Sequence, residues 1–318
     1  MSKITFSQEV KNEIASEVNF SKERKEALLS AFIRINGVLV FKKGKTNVKL
    51  KTFNSKIAKY IYQNLKIFFP NNDIHLFFDK KRNKKTNYVI ELNDTDKLLE
   101  ALNVDFFEGK ISKNIVYNDE TISGYVAGAF LASGSINSPE TANYHLEIVS
   151  HSENYARWLA KLFLKYKKID ISVKITKRRE KYVLYIKRSD QIANFLAMVG
   201  APETCIKFED ERVSRDFMNS NNRLENFELS NVKKASQVGK RQAKEIKYID
   251  DILGIHTIHN QKKELLCYLR LENKEATLQE LAGMLSEEMG EEISKSNINH
   301  LFRSLHDLYI KIQGVKKI

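Results

Sequence analysis

Apolar residues recur at helical spacing in two stretches that end alike, "KEALLSAFIRING" (Lys25 to Gly37) and "SGYVAGAFLASG" (Ser123 to Gly134). The second stretch carries more small residues than a core helix requires. Gly124, Gly128 and Ala132 succeed one another at intervals of four, which stacks them on one helical face and lets a second backbone come close. A glycine inside a helix costs roughly 1 kcal/mol relative to alanine, a loss that close packing must offset. Gly134 is expected to close its helix in the left-handed conformation.

The elements beyond the two helices also match in order. After the first come a short strand "GVLVF" (Gly37 to Phe41), the alternating strand "NVKLKTF" (Asn47 to Phe53) and the helix "NSKIAKYIYQNLKIFF" (Asn54 to Phe69). Strands "DIHLFFD" (Asp73 to Asp79) and "NYVIEL" (Asn87 to Leu92) then lead to a short helix "DTDKLLEALN" (Asp94 to Asn103), with an Asp expected at its N-cap. The second helix leads into strands "GSINS" (Gly134 to Ser138) and "YHLEIVS" (Tyr144 to Ser150) and then helix "SENYARWLAKLFLKYK" (Ser152 to Lys167). Strands "ISVKITKRR" (Ile171 to Arg179) and "KYVLYIKR" (Lys181 to Arg188) and helix "SDQIANFLAMVG" (Ser189 to Gly200) complete it. The long helices of both series open on good capping residues, Asn54 and Ser152. A whole series recurring about 95 residues further on predicts an α+β fold built by tandem duplication of an αββαββα-like unit.

Beyond this duplication the pattern turns wholly helical. "NRLENFELSNVKKASQVGKRQAKEIKYIDDIL" (Asn222 to Leu253) is polar, then basic, and suits a linker helix. "KKELLCYLRLEN" (Lys262 to Asn273) predicts a further helix, and "TLQELAGML" (Thr277 to Leu285) another, with Thr277 and Glu280 forming a capping box. "SKSNINHLFRSLHDLYI" (Ser294 to Ile310) predicts the last, capped by Ser294. Leu278, Leu281, Ala282 and Leu285 form one apolar stripe, and Ile298, Leu301, Phe302 and Leu305 a second, which pack together as a helix-turn-helix. In such a unit the start of the last helix enters the major groove, which nominates Lys295, Ser296, Asn299, His300 and Arg303 as outward residues. Asn pairs with adenine and Arg with guanine. A module that binds protein is the alternative, because the turn "SEEMGEE" (Ser286 to Glu292) is acidic and repels phosphate. The expected divisions are residues 1–212, with repeats of about 1–105 and 115–205, a basic helical linker 213–253, and the helix-turn-helix 254–318.

Composition narrows the partners. The 318 residues include 53 Lys+Arg against 40 Asp+Glu, a formal charge of +13 with pI near 9.4, and 42% are hydrophobic. A packed core and a polyanionic partner, with double-stranded DNA first, fit these values. Cys205 and Cys267 stand far apart, with no ligand spacing, so no disulfide framework, zinc site or other cofactor is indicated and a reducing cytoplasm fits. No apolar run approaches the roughly 18 residues that span a membrane, and "MSKITFSQEVKNEIASE" is too charged for a signal peptide. His256 and His259 lack a third ligand, so a packed or capping role is expected. Neither a Gly-rich phosphate loop nor a nucleophile elbow is present.

"LSAFIRING" (Leu29 to Gly37) and "VAGAFLASG" (Val126 to Gly134) resemble degenerate copies of the LAGLIDADG motif of homing endonucleases. The whole chain resembles the bacterial WhiA family, which joins a LAGLIDADG-like domain to a C-terminal helix-turn-helix. The stretches that carry this are "FSQEVKNEI" (Phe6 to Ile14), "LSAFIRINGVL" (Leu29 to Leu39), "GAFLASGSINSPETANYHLEI" (Gly128 to Ile148), "NRLENFELSN" (Asn222 to Asn231) and "SKSNINHLFRSL" (Ser294 to Leu305). The chain departs from the family pattern at Asn297, where glycine is usual, and at Leu301, where a basic residue is. In the nucleases an acid just before each terminal glycine helps hold a divalent metal. Here those positions are Asn36 and Ser133, which supply no anionic oxygen, so no metal and no catalysis are expected and both helices read as packing elements.

If the scaffold keeps the nucleases' saddle-shaped sheet, strand alternation sends Lys49 and Lys51 to one face. Lys174 likewise shares a face with Ser172 and Thr176, opposite Ile171, Val173 and Ile175. The turns add "FKKGKT" (Phe41 to Thr46), "DKKRNKK" (Asp79 to Lys85) and "KRREK" (Lys177 to Lys181), the last carrying Lys177, Arg178 and Arg179. These are phosphate contacts or solvated hairpin tips. The resemblance implies a non-catalytic, nucleoid-associated transcriptional regulator linked to cell division and chromosome segregation, and to sporulation where the host sporulates. Transcription machinery or another regulator is the implied protein partner. A metal-dependent endonuclease and a protein-interaction scaffold are the alternatives.

Overall fold

Capping sets where the chain first becomes regular: Thr5 and Gln8 exchange backbone and side-chain hydrogen bonds, and α1 (Phe6–Ile14) starts there. The computed structural model describes residues 4–42, 44–79, 86–107 and 109–315. After α1 come α2 (Lys22–Asn36), β1 (Val38–Lys42), β2 (Lys45–Thr52), α3 (Ser55–Phe68), β3 (Asp73–Asp79), β4 (Asn87–Asn93) and α4 (Asp96–Ala101). The series repeats as α5 (Asp119–Ser133), β5 (Gly134–Ile136), β6 (Leu146–Ser150), α6 (Glu153–Lys165), β7 (Lys174–Arg178), β8 (Lys181–Ile186) and α7 (Ser189–Val199). The rest of the fold is α8 (Pro202–Leu253), α9 (Gln261–Glu272), α10 (Leu278–Met289) and α11 (Lys295–Val315). The chain forms two compact units, Met1–Arg215 and Asp216–Ile318.

The duplication is visible strand by strand. Each repeat builds a four-stranded antiparallel sheet, ordered β1-β2-β4-β3 in the first and β5-β6-β8-β7 in the second. Alternation buries Val48, Leu50, Ile90 and Leu92 from one sheet and Leu146, Ile148, Leu184 and Ile186 from the other. These join Ile57, Ile61 and Leu65 of α3, Leu159, Leu162 and Phe163 of α6, and most of α2 and α5 in a single core. The small residues of α5 meet α2 as their spacing predicts. A Cβ on Gly124 would lie 2.3 Å from the Arg24 carbonyl oxygen, and the positions of α2 that correspond to Gly124 and Gly128 hold the fully buried Ala27 and Ala31.

Local details depart from the expected pattern. Gly134 is not left-handed: its φ of −78° and ψ of 155° begin β5 at once. Glycine is required there because a Cβ would strike the Phe130 ring at 2.2 Å. No Asp caps α4, whose N-cap is Thr95, and the Thr95 hydroxyl donates to the Thr46 carbonyl oxygen instead. Asp94 takes a positive φ of 54° and pairs with Lys45 at 2.5 Å. The strand expected from Ile171 begins at Lys174, and the linker helix expected from Asn222 begins at Pro202.

The second unit has its own core, formed by Ile246 of α8, Leu266 and Cys267 of α9, Leu281, Ala282 and Leu285 of α10, and Ile298, Leu301, Phe302 and Leu305 of α11. Arg270, only 1% exposed, is the largest fully buried side chain. Its guanidinium donates to the carbonyl oxygens of Asn273 at 3.1 Å and Ala276 at 2.8 Å and lies over the Phe302 ring at 5.2 Å. Those bonds satisfy carbonyls of the α9–α10 turn that α9 leaves unpaired. Both cysteines are free, and burial pushes the Cys267 thiol up to about 12.

Candidate nucleic-acid interface

The Thr277–Glu280 capping box sets the start of α10, with bonds of 2.7 and 3.2 Å. Hydrogen bonds at its N-cap, from the Thr277 backbone first, hold the Glu280 carboxyl below its ordinary value. Ser286 then accepts the Ile293 N–H at 2.9 Å, and Gly290, with φ of 65°, turns the chain toward α11. Much of the acidic turn is therefore helix: Ser286 to Met289 form the last turn of α10. Glu291 is paired with Lys262. Ser294 accepts the Asn297 N–H at 3.2 Å and starts α11, which runs past Ile310 to Val315.

On α11, Ile298, Leu301, Phe302 and Leu305 are buried, while Lys295, Ser296, Asn299, His300 and Arg303 are all exposed. The expected outward set is therefore brought together on the first turns of one helix. Lys263 of α9 donates to the Ser304 hydroxyl at 2.7 Å and fixes α11 from one side. His256 and His259 are exposed rather than packed.

In the first unit the faces of the sheets turned from the core carry the other candidates. Lys49 faces Glu91 in register and pairs with it at 2.6 Å, while Lys51 is exposed two residues on. Lys174 lies opposite Tyr185 and is exposed, as are Ser172 and Thr176. Lys177, Arg178 and Arg179 do not act as one group. Arg178 reaches across the outer face to Glu147 at 3.1 Å, whereas Lys177 points to the other face, 5.9 Å from the Tyr182 ring. Arg179 occupies the hairpin tip with φ of 56°. Burial tends to raise the Glu147 carboxyl, but hydrogen bonds from Arg178 and His145 outweigh it and hold the group below its ordinary value. Lys43 and residues 80–85, part of two turns read as basic, lie outside the described residues.

Glu91 and Glu147 are the site residues that reading the turns for cations overlooks. Their signal was present: both alternate with apolar neighbours, in "NYVIEL" and "YHLEIVS", and so lie on the outer face with the lysines.

The two motif ends have a structural task. Asn36 accepts the Lys51 N–H at 2.8 Å and donates to the Lys51 carbonyl oxygen at 2.9 Å. Ser133 donates to the Val149 carbonyl oxygen at 2.7 Å. The β1–β2 register pairs Val38 with Lys49 and the β5–β6 register pairs Gly134 with Ile148, so continuing each register sets Asn36 opposite Lys51, two steps on, and Ser133 opposite Val149, one step on. Each side chain continues its ladder beyond the helix end. Packing alone, as the sequence suggested, understates their role. Among the described residues no three His, Cys, Asp or Glu side chains gather as metal ligands, and no helix is long and apolar enough to cross a membrane.

Three family models cover most of the chain: the WhiA N-terminal LAGLIDADG-like domain over residues 22–105, the WhiA LAGLIDADG-like domain over 122–218, and the WhiA C-terminal HTH domain over 221–309. A probable cell division protein WhiA of Lactobacillus helveticus is 37% identical over 310 residues, 96% of this chain and 97% of that one. Its namesake in Staphylococcus aureus is 34% identical over 321 residues, 99% of each. The crystal structure of full-length DUF199/WhiA from Thermatoga maritima shares the fold, with a TM-score of 0.57 and 22% identity over 96% of this chain and 98% of that one. With the duplicated LAGLIDADG-like repeat and the helix-turn-helix both in place, the chain belongs to the WhiA family.

Proposed function

We propose that this protein is a non-catalytic, DNA-binding transcriptional regulator linked to cell division, acting on the nucleoid in the cytoplasm. The observation that carries the reading is the split on α11, where Lys295, Ser296, Asn299, His300 and Arg303 are exposed above a buried apolar seam. Such a helix offers amide and guanidinium groups to base edges in the major groove. Lys51 and Lys174 on the outer faces and Arg179 at the hairpin tip add phosphate contacts from the first unit, joined by Arg178 and Lys49 to the extent that Glu147 and Glu91 leave them charge to spare, while Lys177 approaches from the other face. The names of the relatives favour a cell-division role, and chromosome segregation, or sporulation in a sporulating host, is its extension. Transcription machinery or a second regulator is the proposed protein partner.

The denial of catalysis rests on the motif ends. The polar atoms of Asn36 and Ser133 are engaged by the Lys51 and Val149 backbone, and neither residue offers an anionic oxygen. Genome-wide mapping of bound sites, and then binding to a recovered site and its scrambled version, tests the reading. Clustered sites bound in preference to scrambled duplex support it. Failure to bind any genomic fragment at low salt favours a protein scaffold, and magnesium-dependent cutting of plasmid overturns the non-catalytic assignment.

A further inference from the structure

Within the second unit the C-terminal half of α8 lies along one flank of α11. Glu245 Oε2 is 3.0 Å from His306 Nδ1, and the Tyr248 and Tyr309 rings meet edge-on with centroids 5.3 Å apart. Ala243, Ile246 and Ile249 are buried beneath it. Gly239 brings the same helix onto the α9–α10 turn, since a Cβ there would lie 2.1 Å from the Lys274 carbonyl oxygen. The segment is seated on two neighbours and is held in place by both.

Its outer side is basic. Between Val232 and Ile249 it carries Lys233, Lys234, Lys240, Arg241, Lys244 and Lys247, all exposed, against the single carboxylate of Glu245. That carboxylate is turned inward, with its side chain 12% exposed, and is already engaged by His306 and, at 3.6 Å, by Arg241. Lys240 is paired with Glu275. At 100° per residue, Lys234, Arg241 and Lys244 fall on the side of α8 that also bears Glu245 and Tyr248, the side turned to α11. On α11, His306 comes three residues after Arg303 and seven after Asn299, so it shares their face. The basic edge of α8 therefore borders the proposed reading surface.

Cations at helical neighbour spacing repel one another, and a polyanion laid along them relieves that repulsion. The span from Lys234 to Lys244 is about 15 Å, over which duplex DNA presents roughly nine phosphate charges. We propose that Lys234, Arg241 and Lys244 grip the phosphate backbone beside the groove that α11 enters, making α8 a sequence-independent arm of the DNA interface. The inference rests on the reading of α11 as the recognition helix.

The test uses full-length protein carrying Lys234→Gln, Arg241→Gln and Lys244→Gln together, with a genome-mapped duplex and its scrambled version at several salt concentrations. Affinity for both duplexes is expected to fall by the same factor, about tenfold or more at low salt, with the salt slope shallower by about 0.9 for each phosphate no longer neutralised. Lys234→Arg, Arg241→Lys and Lys244→Arg together should keep the wild-type slope. An unchanged slope in the glutamine variant overturns the proposal and leaves the edge to an acidic protein surface. Loss of discrimination at constant slope overturns it as well. Arg303→Ala, measured in parallel, reports on α11 alone: if it keeps full discrimination, the recognition-helix reading fails whatever the α8 result.

Discussion

Gly128 of α5 sits directly against the backbone of Leu28 on α2: a Cβ at Gly128 would lie 2.1 Å from the Leu28 carbonyl oxygen. The obstructing atom is backbone, so no rotamer change relieves it. Gly128→Ala should therefore destabilise the protein by about 1–3 kcal/mol, although alanine is the better helix former by roughly 1 kcal/mol. Urea unfolding checks this, and a raised midpoint for the variant would be incompatible with the packing described.

Asn36 both gives to and takes from the Lys51 backbone. Asn36→Asp keeps the acceptor but sets a carboxylate oxygen against the Lys51 carbonyl oxygen, an arrangement expected to cost about 1–3 kcal/mol. Combined with Ser133→Asp it should remain unable to cut supercoiled plasmid in magnesium, because metal catalysis also needs positioned substrate and supporting groups. Robust cleavage by the double variant would show the rest of a nuclease site to be intact.

Lys11 donates to the Leu131 carbonyl oxygen at 3.3 Å and lies 5.5 Å from the centre of the Phe130 ring. Burial lowers its pKa from the ordinary 10.5 to about 8. Between those values the unfolded chain binds more protons than the folded one, so this group makes stability rise with pH. The penalty is present in full below about pH 8 and is gone above 10.5. Relative to Lys11→Met, the wild-type protein should gain stability across that window. Parallel stability curves would refute the assignment.

Arg303→Ala and Asn299→Ala should each remove roughly 1–3 kcal/mol of discrimination between target and scrambled DNA, with much less effect on non-specific binding. Equilibrium binding to both duplexes decides it. Equal losses on the two would mean that these residues touch phosphate rather than bases.

Arg178→Ala should weaken binding to every duplex more than Lys177→Ala does, since it removes a cation from the outer face and uncovers Glu147. The comparison is made at fixed low salt. Equal effects would show that this face is not the one that meets DNA.

The duplication, the order of its strands and helices, the seam of α11 and the exposure of the five residues nominated on it were legible in the chain, because helical and strand periods are local and every turn of backbone repeats them. The neutralisation of the outer faces was not. Lys49 meets Glu91, and Arg178 meets Glu147, only once separate strands lie side by side in register. Gly134 shows the same division: a glycine after a helix signals a special backbone or a crowded neighbour with equal force, and the Phe130 ring decides for the second. Asn36 and Ser133 read in sequence as acids lost, and tertiary structure alone reveals them as ladder partners of Lys51 and Val149. The cations of α8 were visible as a basic run, but which edge of the helix borders α11 was settled by the contacts of Glu245 with His306 and of Tyr248 with Tyr309. Periodicity states which residues share a face; what that face meets depends on side chains distant in sequence, which only folding brings within reach.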